Sequence, residues 1–165
     1  MDIRTALLEK FGRLDILINC AGVIFAGSTI TTYPQDFDYL TDVHIRTPFM
    51  LTMFFIEILK QSKGSVINVS CDKGSRPEAG LVGYSMCKAG VEMFTKSAAL
   101  ELAPFGIRVN AVAPTFIATN LYRVTGMNEP ELDNLQNRAI KHIPMGRAGS
   151  CPEVAKAIIF LTSEQ

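Results

Sequence analysis

Two short apolar segments and the helical stretch between them decide the fold: SVINVS (65–70), YSMCKAGVEMFTKSAALEL (84–102) and IRVNAVA (107–113). Both short segments are rich in β-branched residues, a composition typical of strands. A strand–helix–strand order predicts two parallel strands joined by a right-handed crossover. Segments that are apolar at nearly every position are typical of parallel sheets whose two faces are covered by helices.

The same alternation of helices and strands continues toward the N-terminus. Residues 2–11 have the apolar spacing of a helix, and LDILIN (14–19) predicts a buried strand. A long helical pattern extends from about Phe37 to Gln61. Pro48 within it predicts an interruption or a bend, because proline lacks the backbone N–H of a helical residue.

On the C-terminal side the pattern is more irregular. Segment 115–149 combines helical stretches with glycine and proline breaks, and a last helix begins at about Pro152, where proline is tolerated. The chain has 165 residues and contains no internal repeat or linker. We therefore expect a single α/β domain over residues 1–165.

Composition excludes several classes of protein. Sixteen basic residues balance sixteen acidic ones, so net charge gives no argument for nucleic acid or an anionic membrane as a partner. A hydrophobic content of 48% excludes a disordered chain, and no apolar run reaches the length of a membrane span. The four cysteines have no zinc-type spacing, so we expect no metal and reduced thiols. These features predict a protein of the cytoplasm or of an organelle interior.

Candidate chemistry lies where the strands end, because open parallel sheets bind ligands beyond their carboxyl ends. Tyr84 and Lys88 are four residues apart on the helix that follows SVINVS, so they share one face. A nearby ammonium favours the phenolate and lowers the tyrosine pKa. A tyrosine of this kind can exchange a proton with a carbonyl or alcohol oxygen. The pair alone also fits an ordinary solvated helix face.

Four tracts in their natural order resemble the short-chain dehydrogenase/reductase family, the last two most closely its 3-oxoacyl-carrier-protein reductase and glucose dehydrogenase branch. They are LDILINCAG (14–22), GSVINVSC (64–71), YSMCKAGVEMFTKSAALELAPFGIRVNAVAP (84–114) and IPMGRAGSCPEVAKAIIFL (143–161). The resemblance implies a Rossmann-type three-layer sandwich with parallel strands. It also implies an NAD(P)-dependent oxidoreductase that transfers hydride to or from a small carbonyl or secondary alcohol.

The resemblance also implies roles for individual residues. Tyr84 matches the catalytic acid/base, and Lys88 matches the lysine that binds the nicotinamide ribose and lowers the tyrosine pKa. Helix 84–102 matches a helix that often forms dimer contacts, which implies a homo-oligomer. Further positions match the cofactor site: Asn19, Ala21, Gly22, Pro114, Ile117 and Thr119.

Three substitutions depart from the family pattern. Cys71 stands where the family has its catalytic serine, and a thiol is a weak hydrogen-bond donor. The adjacent Ser70 is expected to point to the opposite side of the strand. His44 stands where an active-site asparagine is usual; it is either a proton relay or a helix residue with a satisfied ring. Thr115 replaces a glycine and is expected to crowd the nicotinamide pocket.

The fourth departure concerns the cofactor phosphates. No G-x-G-x-x-G turn or near variant is found in the 165 residues. We therefore expect a domain that is truncated at both ends, lacks the N-terminal phosphate-binding βαβ unit and binds NAD(P) weakly or not at all. LDILIN then becomes an edge strand that a second copy or a partner chain would cover. The alternative function is a catalytically impaired relative that acts as a structural or regulatory subunit.

Overall fold

The computed structural model describes residues 3–122 and 127–163, and within them the sheet consists of three parallel strands. These are β1 (Ile16–Asn19), β2 (Ser65–Val69) and β3 (Arg108–Val112), hydrogen-bonded in that order. Ile67 in the middle of β2 lies opposite Ile18 and Asn110. The predicted parallel α/β sheet of Rossmann type is thus confirmed, with β2 at its centre.

Six α-helices lie in the described residues. They are α1 (Ile3–Phe11), α2 (Pro34–Thr41), α3 (Thr47–Ser62), α4 (Val82–Leu102), α5 (Glu129–Lys141) and α6 (Cys151–Thr162). Short 3₁₀ turns, Asp72–Gly74 and Ala103–Phe105, follow β2 and α4. The helical segment predicted from Phe37 begins three residues earlier, at Pro34, because proline is well suited to a first helical position.

A π-helical turn, Asp42–Arg46, joins α2 to α3 without a break. It ends two residues before Pro48, where an ordinary α-helical turn would press the proline ring against the carbonyl group of His44. The predicted interruption at Pro48 therefore takes the form of a wider turn rather than a bend or a gap. Because π turns are rare, this one also marks a position of interest, and it contains His44.

Helices α3 and α4 cover one face of the sheet. Val66 from β2 packs there with a cluster of buried side chains: Phe55, Ile58 and Leu59 from α3, Ala98 from α4, and Ile107 and Val109 at β3. Asn68, two residues further along β2, faces the same side and donates a hydrogen bond to Thr95 of α4. Side chains alternate along a strand, so Val69 points to the opposite face, where it shares a cavity with Val154 and Ile158 of α6.

Strand β1 forms the edge of this sheet. Ile16 and Ile18 are 40% and 45% exposed, whereas Val66 and Ile67 of β2 are fully buried. The prediction of an edge strand at LDILIN is confirmed. The prediction that this strand is buried is wrong. In the described residues β1 pairs with β2 alone, and its Ile16 and Ile18 side chains remain exposed.

No helix in the described residues combines the length and the apolar composition that crossing a membrane requires.

Candidate active site

A cavity of about 330 Å³ lies beyond the carboxyl ends of the strands. Its volume falls at the lower end of the range of roughly 300–1,000 Å³ that is usual for small-ligand sites. Residues from β2, α4, α6 and the loop after β3 line it. Among them are His44, Cys71, Tyr84, Lys88, Pro114, Thr115, Ile117, Thr119 and Tyr122. The cavity therefore brings together most of the chemistry-bearing positions that the sequence singles out.

Tyr84 and Lys88 lie on the cavity side of the first two turns of α4. Both are buried, at 5% and 4% exposure. The Lys88 ammonium lies 5.5 Å from the centre of the Tyr84 ring and donates a hydrogen bond of 2.8 Å to the Val69 carbonyl. The predicted shared face is confirmed, and the carboxyl end of β2 fixes the position of the lysine.

The electrostatics of the pair differ from the sequence-based expectation. Burial raises the pKa of Tyr84 well above its usual value, and Cys71 raises it further. Burial lowers the pKa of Lys88 to about 8. The net shift of the Tyr84 pKa is therefore upward in this chain, whereas the sequence predicts a lowered pKa. The reason is that desolvation disfavours the phenolate more than the ammonium, itself desolvated and bonded to Val69, favours it.

Cys71 lies two residues after the end of β2 and lines the cavity together with Tyr84. Its thiol donates a 3.3 Å hydrogen bond to Oδ1 of Asp72. Burial is the main cause that raises the thiol pKa. The neighbouring Tyr84 lowers the thiol pKa to a smaller extent, and Cys71 in turn raises the pKa of Tyr84. The hydroxyl of Ser70 instead donates to the Lys88 carbonyl at 3.2 Å and to Glu92 at 3.3 Å.

His44 reaches the cavity from the π-helical turn. Its ring is 2% exposed, and Nε2 lies 2.7 Å from the Val23 carbonyl. Burial and, to a smaller extent, the charge of Lys88 lower its pKa to about 4, so the ring is neutral at pH 7 and Nε2–H donates to Val23. The ring meets Tyr84 edge-on at 5.5 Å. It thus links the loop after β1 to the tyrosine.

The six residues assigned only to cofactor binding do not all reach the cavity. Gly22, Pro114, Ile117 and Thr119 line it, whereas Asn19 and Ala21 do not. Asn19 is buried and donates a 2.8 Å hydrogen bond to Asn68. Its amide therefore ties β1 to β2 instead of facing a ligand. Thr115 lines the cavity beside Pro114, where its side chain is expected to crowd a bound nicotinamide.

Some contributors to the site are absent from the sequence-based selection. Asp72 follows Cys71 at a strand end, a position where polar residues merit attention in parallel sheets. Val154, Ala155 and Ile158 of α6 form an apolar wall of the cavity. Nothing in the sequence of α6 distinguishes these residues from ordinary core residues. Tyr122, at a position where the family carries substrate-lining residues, also lines the cavity, and its ring stacks on Phe116 with ring centres 5.3 Å apart.

Comparison with known proteins places this fold and site in context. A family model described as Enoyl-(Acyl carrier protein) reductase matches residues 2–165. The 3-oxoacyl-(acyl-carrier-protein) reductase FabG of Thermotoga maritima is 37% identical over 160 residues, which cover 96% of this chain and 63% of that protein.

Two solved structures share the architecture. A 3-ketoacyl-(acyl-carrier-protein) reductase from Brucella melitensis, complexed with NADH, superposes with a TM-score of 0.86 at 32% identity, covering 98% of this chain and 65% of its own. A short-chain dehydrogenase/reductase of unknown function from Caenorhabditis elegans, solved with cofactor, gives a TM-score of 0.87 at 29% identity, covering 97% and 62%.

The parallel sheet with a Tyr–Lys pair at its carboxyl end defines a Rossmann-type domain of the kind found in nicotinamide-dependent oxidoreductases. The chain belongs to the short-chain dehydrogenase/reductase family. It spans 63% of the length of the Thermotoga maritima relative.

Proposed function

We propose that this chain carries the hydride-transfer site of an NAD(P)-dependent oxidoreductase that interconverts a small ketone or aldehyde and the corresponding alcohol. The observation that carries the proposal is the buried Tyr84–Lys88 pair, which faces a ligand-sized cavity together with Cys71. Buried ionisable groups that converge in a cleft are characteristic of catalytic sites.

The residues present fit the nicotinamide end of the cofactor. The Lys88 ammonium has three donor hydrogens, and one of them is used by Val69. The other two are available to ribose hydroxyls in the cavity. Ile117 and Thr119 would hold the carboxamide, and Gly22 and Pro114 would contact the ring. When bound, the cofactor would supply or accept the hydride.

The side chains of the site would handle the proton. Tyr84 is protonated at neutral pH because burial raises its pKa, so in the direction of carbonyl reduction its hydroxyl is ready to donate. Lys88 would stabilise negative charge as it develops on the phenol oxygen. Cys71 lies beside that oxygen and would contact the substrate oxygen as well, in place of a serine. His44 would hold the Val23 turn and the tyrosine ring in position.

The test is an assay with NADH and NADPH on small ketones, and with the oxidised cofactors on secondary alcohols. We expect Tyr84→Phe to lower turnover by about 10²–10⁴-fold, the range for loss of a general acid. Tyr39→Phe, which removes a half-exposed hydroxyl outside the cavity, is the matched control. Equal turnover of the unaltered chain and Tyr84→Phe would exclude the proposed role of the phenol.

A second candidate function is a structural or regulatory subunit without turnover. The specific observation in its favour is Cys71, whose thiol is bonded to Asp72 and is a weaker donor than a serine hydroxyl. Absence of turnover with both cofactors, in a chain shown to be folded, would favour this candidate over the enzyme.

We also propose that copies of the chain associate through α3 and α4. The exposed side chains of these helices include Phe49, Met53, Met86 and Met93, which are 49%, 51%, 57% and 61% exposed. Apolar side chains of this size on neighbouring helices favour burial in an interface. Light scattering after size exclusion should show an oligomer that Met93→Glu weakens, and a monomeric unaltered chain would contradict this assignment.

A further inference from the structure

We propose that His44 selects the substrate: its Nδ1 accepts a hydrogen bond from a hydroxyl on the carbon next to the reacting carbonyl. The cavity would then take α-hydroxy ketones and, in the oxidative direction, vicinal diols. The inference rests on the proposed function, because it names the substrate class of the same hydride-transfer site. It adds a ligand contact to the positioning role that His44 has through Val23.

The first observation is that the two ring nitrogens of His44 are engaged differently. Within residues 3–122 and 127–163, both hydrogen-bond contacts of the ring use Nε2, at 2.7 Å from the Val23 carbonyl and 3.4 Å from the Val23 amide. The shorter contact needs a hydrogen on Nε2, because a carbonyl oxygen can only accept. In a neutral imidazole the other nitrogen then carries a lone pair. Nδ1 is therefore an acceptor that lacks a donor.

The surroundings of the ring keep that lone pair available. The imidazole is 2% exposed, and both burial and the Lys88 ammonium lower its pKa. Desolvation and a neighbouring cation each disfavour the imidazolium, in which Nδ1 would be a donor. The ring thus presents an acceptor, rather than a positive charge, to whatever binds beside it.

The second observation is that Nδ1 borders open space. Among the described residues, the fully buried side-chain polar atoms without a partner are Oδ1 of Asn19 and the hydroxyls of Ser65 and Ser85. Nδ1 of His44 is not one of them, and His44 lines the cavity. Gly22 lines it as well, and a Cβ at Gly22 would lie 3.1 Å from Cε1 and 3.9 Å from Nδ1. The missing side chain leaves this edge of the imidazole open.

The polar groups beside His44 complete the pattern. Tyr84 and Lys88 face the same cavity as donors, since the phenol is protonated and an ammonium cannot accept. The imidazole meets the Tyr84 ring edge-on with centres 5.5 Å apart. When a carbonyl accepts from Tyr84, the group within reach of Nδ1 is therefore one close to that carbonyl. A hydroxyl there donates to Nδ1, whereas a second carbonyl would set lone pair against lone pair.

The reaction of such a substrate balances without any new step. In reduction, the carbonyl carbon receives a hydride from the reduced nicotinamide cofactor, and the carbonyl oxygen receives the Tyr84 proton. The neighbouring hydroxyl keeps its proton and stays bonded to His44, so the product is a vicinal diol. Polar contacts of this kind fix the orientation of a ligand in a cavity whose other walls are largely apolar.

The first test compares hydroxyacetone with acetone. We measure kcat/KM for both ketones with NADH and NADPH, and take their ratio in the unaltered chain and in His44→Phe, which keeps an aromatic ring without ring nitrogens. The ratio should favour hydroxyacetone about tenfold more in the unaltered chain, the effect of one hydrogen bond. Comparing ratios cancels the intrinsic reactivity of the ketones and any loss that both share. His142→Phe, at an exposed position, is the matched control and should keep the unaltered ratio.

The second test observes Nδ1 directly and needs neither turnover nor a variant that folds. Nitrogen NMR of the chain labelled at histidine covers two residues, so His142 serves as an internal reference for His44. The free chain should show Nε2 of His44 protonated and Nδ1 unprotonated. Hydroxyacetone should move the Nδ1 resonance toward the position of a protonated nitrogen, and acetone, which has no hydroxyl, should leave it in place.

The outcomes separate the two proposals. Turnover of both ketones with equal ratios in the unaltered chain and His44→Phe, or an Nδ1 resonance that hydroxyacetone does not move, overturns the substrate assignment alone. A shift of Nδ1 caused by NADH alone also overturns it, because the donor would then be a ribose hydroxyl of the cofactor. Absence of turnover with every ketone and alcohol overturns the proposed function and the substrate assignment with it.

Discussion

The two ends of helix α4 are built in opposite ways. Its first two turns bury Tyr84 and Lys88. Burial raises the pKa of Tyr84 and lowers the pKa of Lys88, so in both cases it favours the neutral form. Its last two turns contribute Ala98 and the partly buried Leu102 to the apolar cluster around Leu59. We call the first two turns, with Tyr84 and Lys88, the reactive end of the helix, and the last two turns, with Ala98 and Leu102, its anchored end. Burial of polar groups at the reactive end costs free energy, whereas apolar packing at the anchored end stabilises the fold. The difference indicates that the apolar packing at the far end offsets the burial of charge near the cavity.

The sharpest way to separate the two ends is Lys88→Met. We expect activity to fall by about 100-fold or more, because the ammonium stabilises charge on Tyr84. Thermal stability should hold or rise, because the variant removes a buried charge. Lys96→Met, at an exposed position of the same helix, is the control and should change neither property. A large loss of stability in Lys88→Met would show that the ammonium serves mainly to hold the fold.

The anchored end should respond in the opposite manner. Leu59 is fully buried, so Leu59→Ala should lower the free energy of unfolding by about 2–5 kcal/mol, measured by chemical denaturation. Activity per folded molecule should change little. Leu100→Ala, at a position 80% exposed on α4, is the matched control. Equal effects of the two variants would contradict the assignment of the core.

Cofactor affinity tests the reactive end without any substitution. The 165 residues contain no glycine-rich phosphate turn, so the helix N-terminus that would bind the pyrophosphate is missing from this sequence. We expect isothermal titration of the chain with NADPH to show binding weaker than the low micromolar range. A low-micromolar dissociation constant would mean that the cavity around Lys88 supplies most of the affinity by itself.

His44 predicts a pH dependence of stability. Its folded pKa of about 4 lies below the ordinary value of 6.5, so the unfolded chain binds more protons between these two pH values. The free energy of unfolding should therefore rise from pH 4 to 6.5, by at most about 1.4 kcal/mol per pH unit from this one group. His44→Asn should flatten the rise, while His142→Asn, which replaces an exposed histidine, should leave it unchanged. An unchanged slope in His44→Asn would contradict a neutral buried ring.

The smallest expected effect concerns Cys71→Ser. A hydroxyl is a better donor than a thiol, so the variant should raise turnover severalfold at most, measured as kcat with the best substrate found. A fall in kcat would mean that the sulfur has a function that oxygen does not replace.

Much of the fold follows from local pattern. The β-branched run at β2 and the regular apolar spacing of α4 are strong signals, and both elements lie within two residues of their predicted ends. The π-helical turn does not follow from the sequence, because Pro48 predicts a disturbance without specifying which hydrogen-bond pattern resolves it.

The sequence predicts most of the residues that line the cavity, but it does not predict the direction of the Tyr84 pKa shift. Spacing places Tyr84 and Lys88 on one face, yet spacing carries no information on depth, and depth sets the direction of the Tyr84 pKa shift. Asn19 illustrates a different limit. Its resemblance to a cofactor residue says nothing of Asn68, which lies 49 positions away and receives its hydrogen bond.

The π-helical turn Asp42–Arg46 has a consequence for how this chain tolerates length changes. The turn absorbs one residue more than an α-helix would place there, because its wider hydrogen-bonded ring rotates the chain by a smaller angle per residue. Deleting one residue from it would give a uniform α-helix and leave α3 close to its present orientation relative to α2. Such a deletion should therefore spare the core face of α3, including Leu59, and should mainly displace the His44 imidazole.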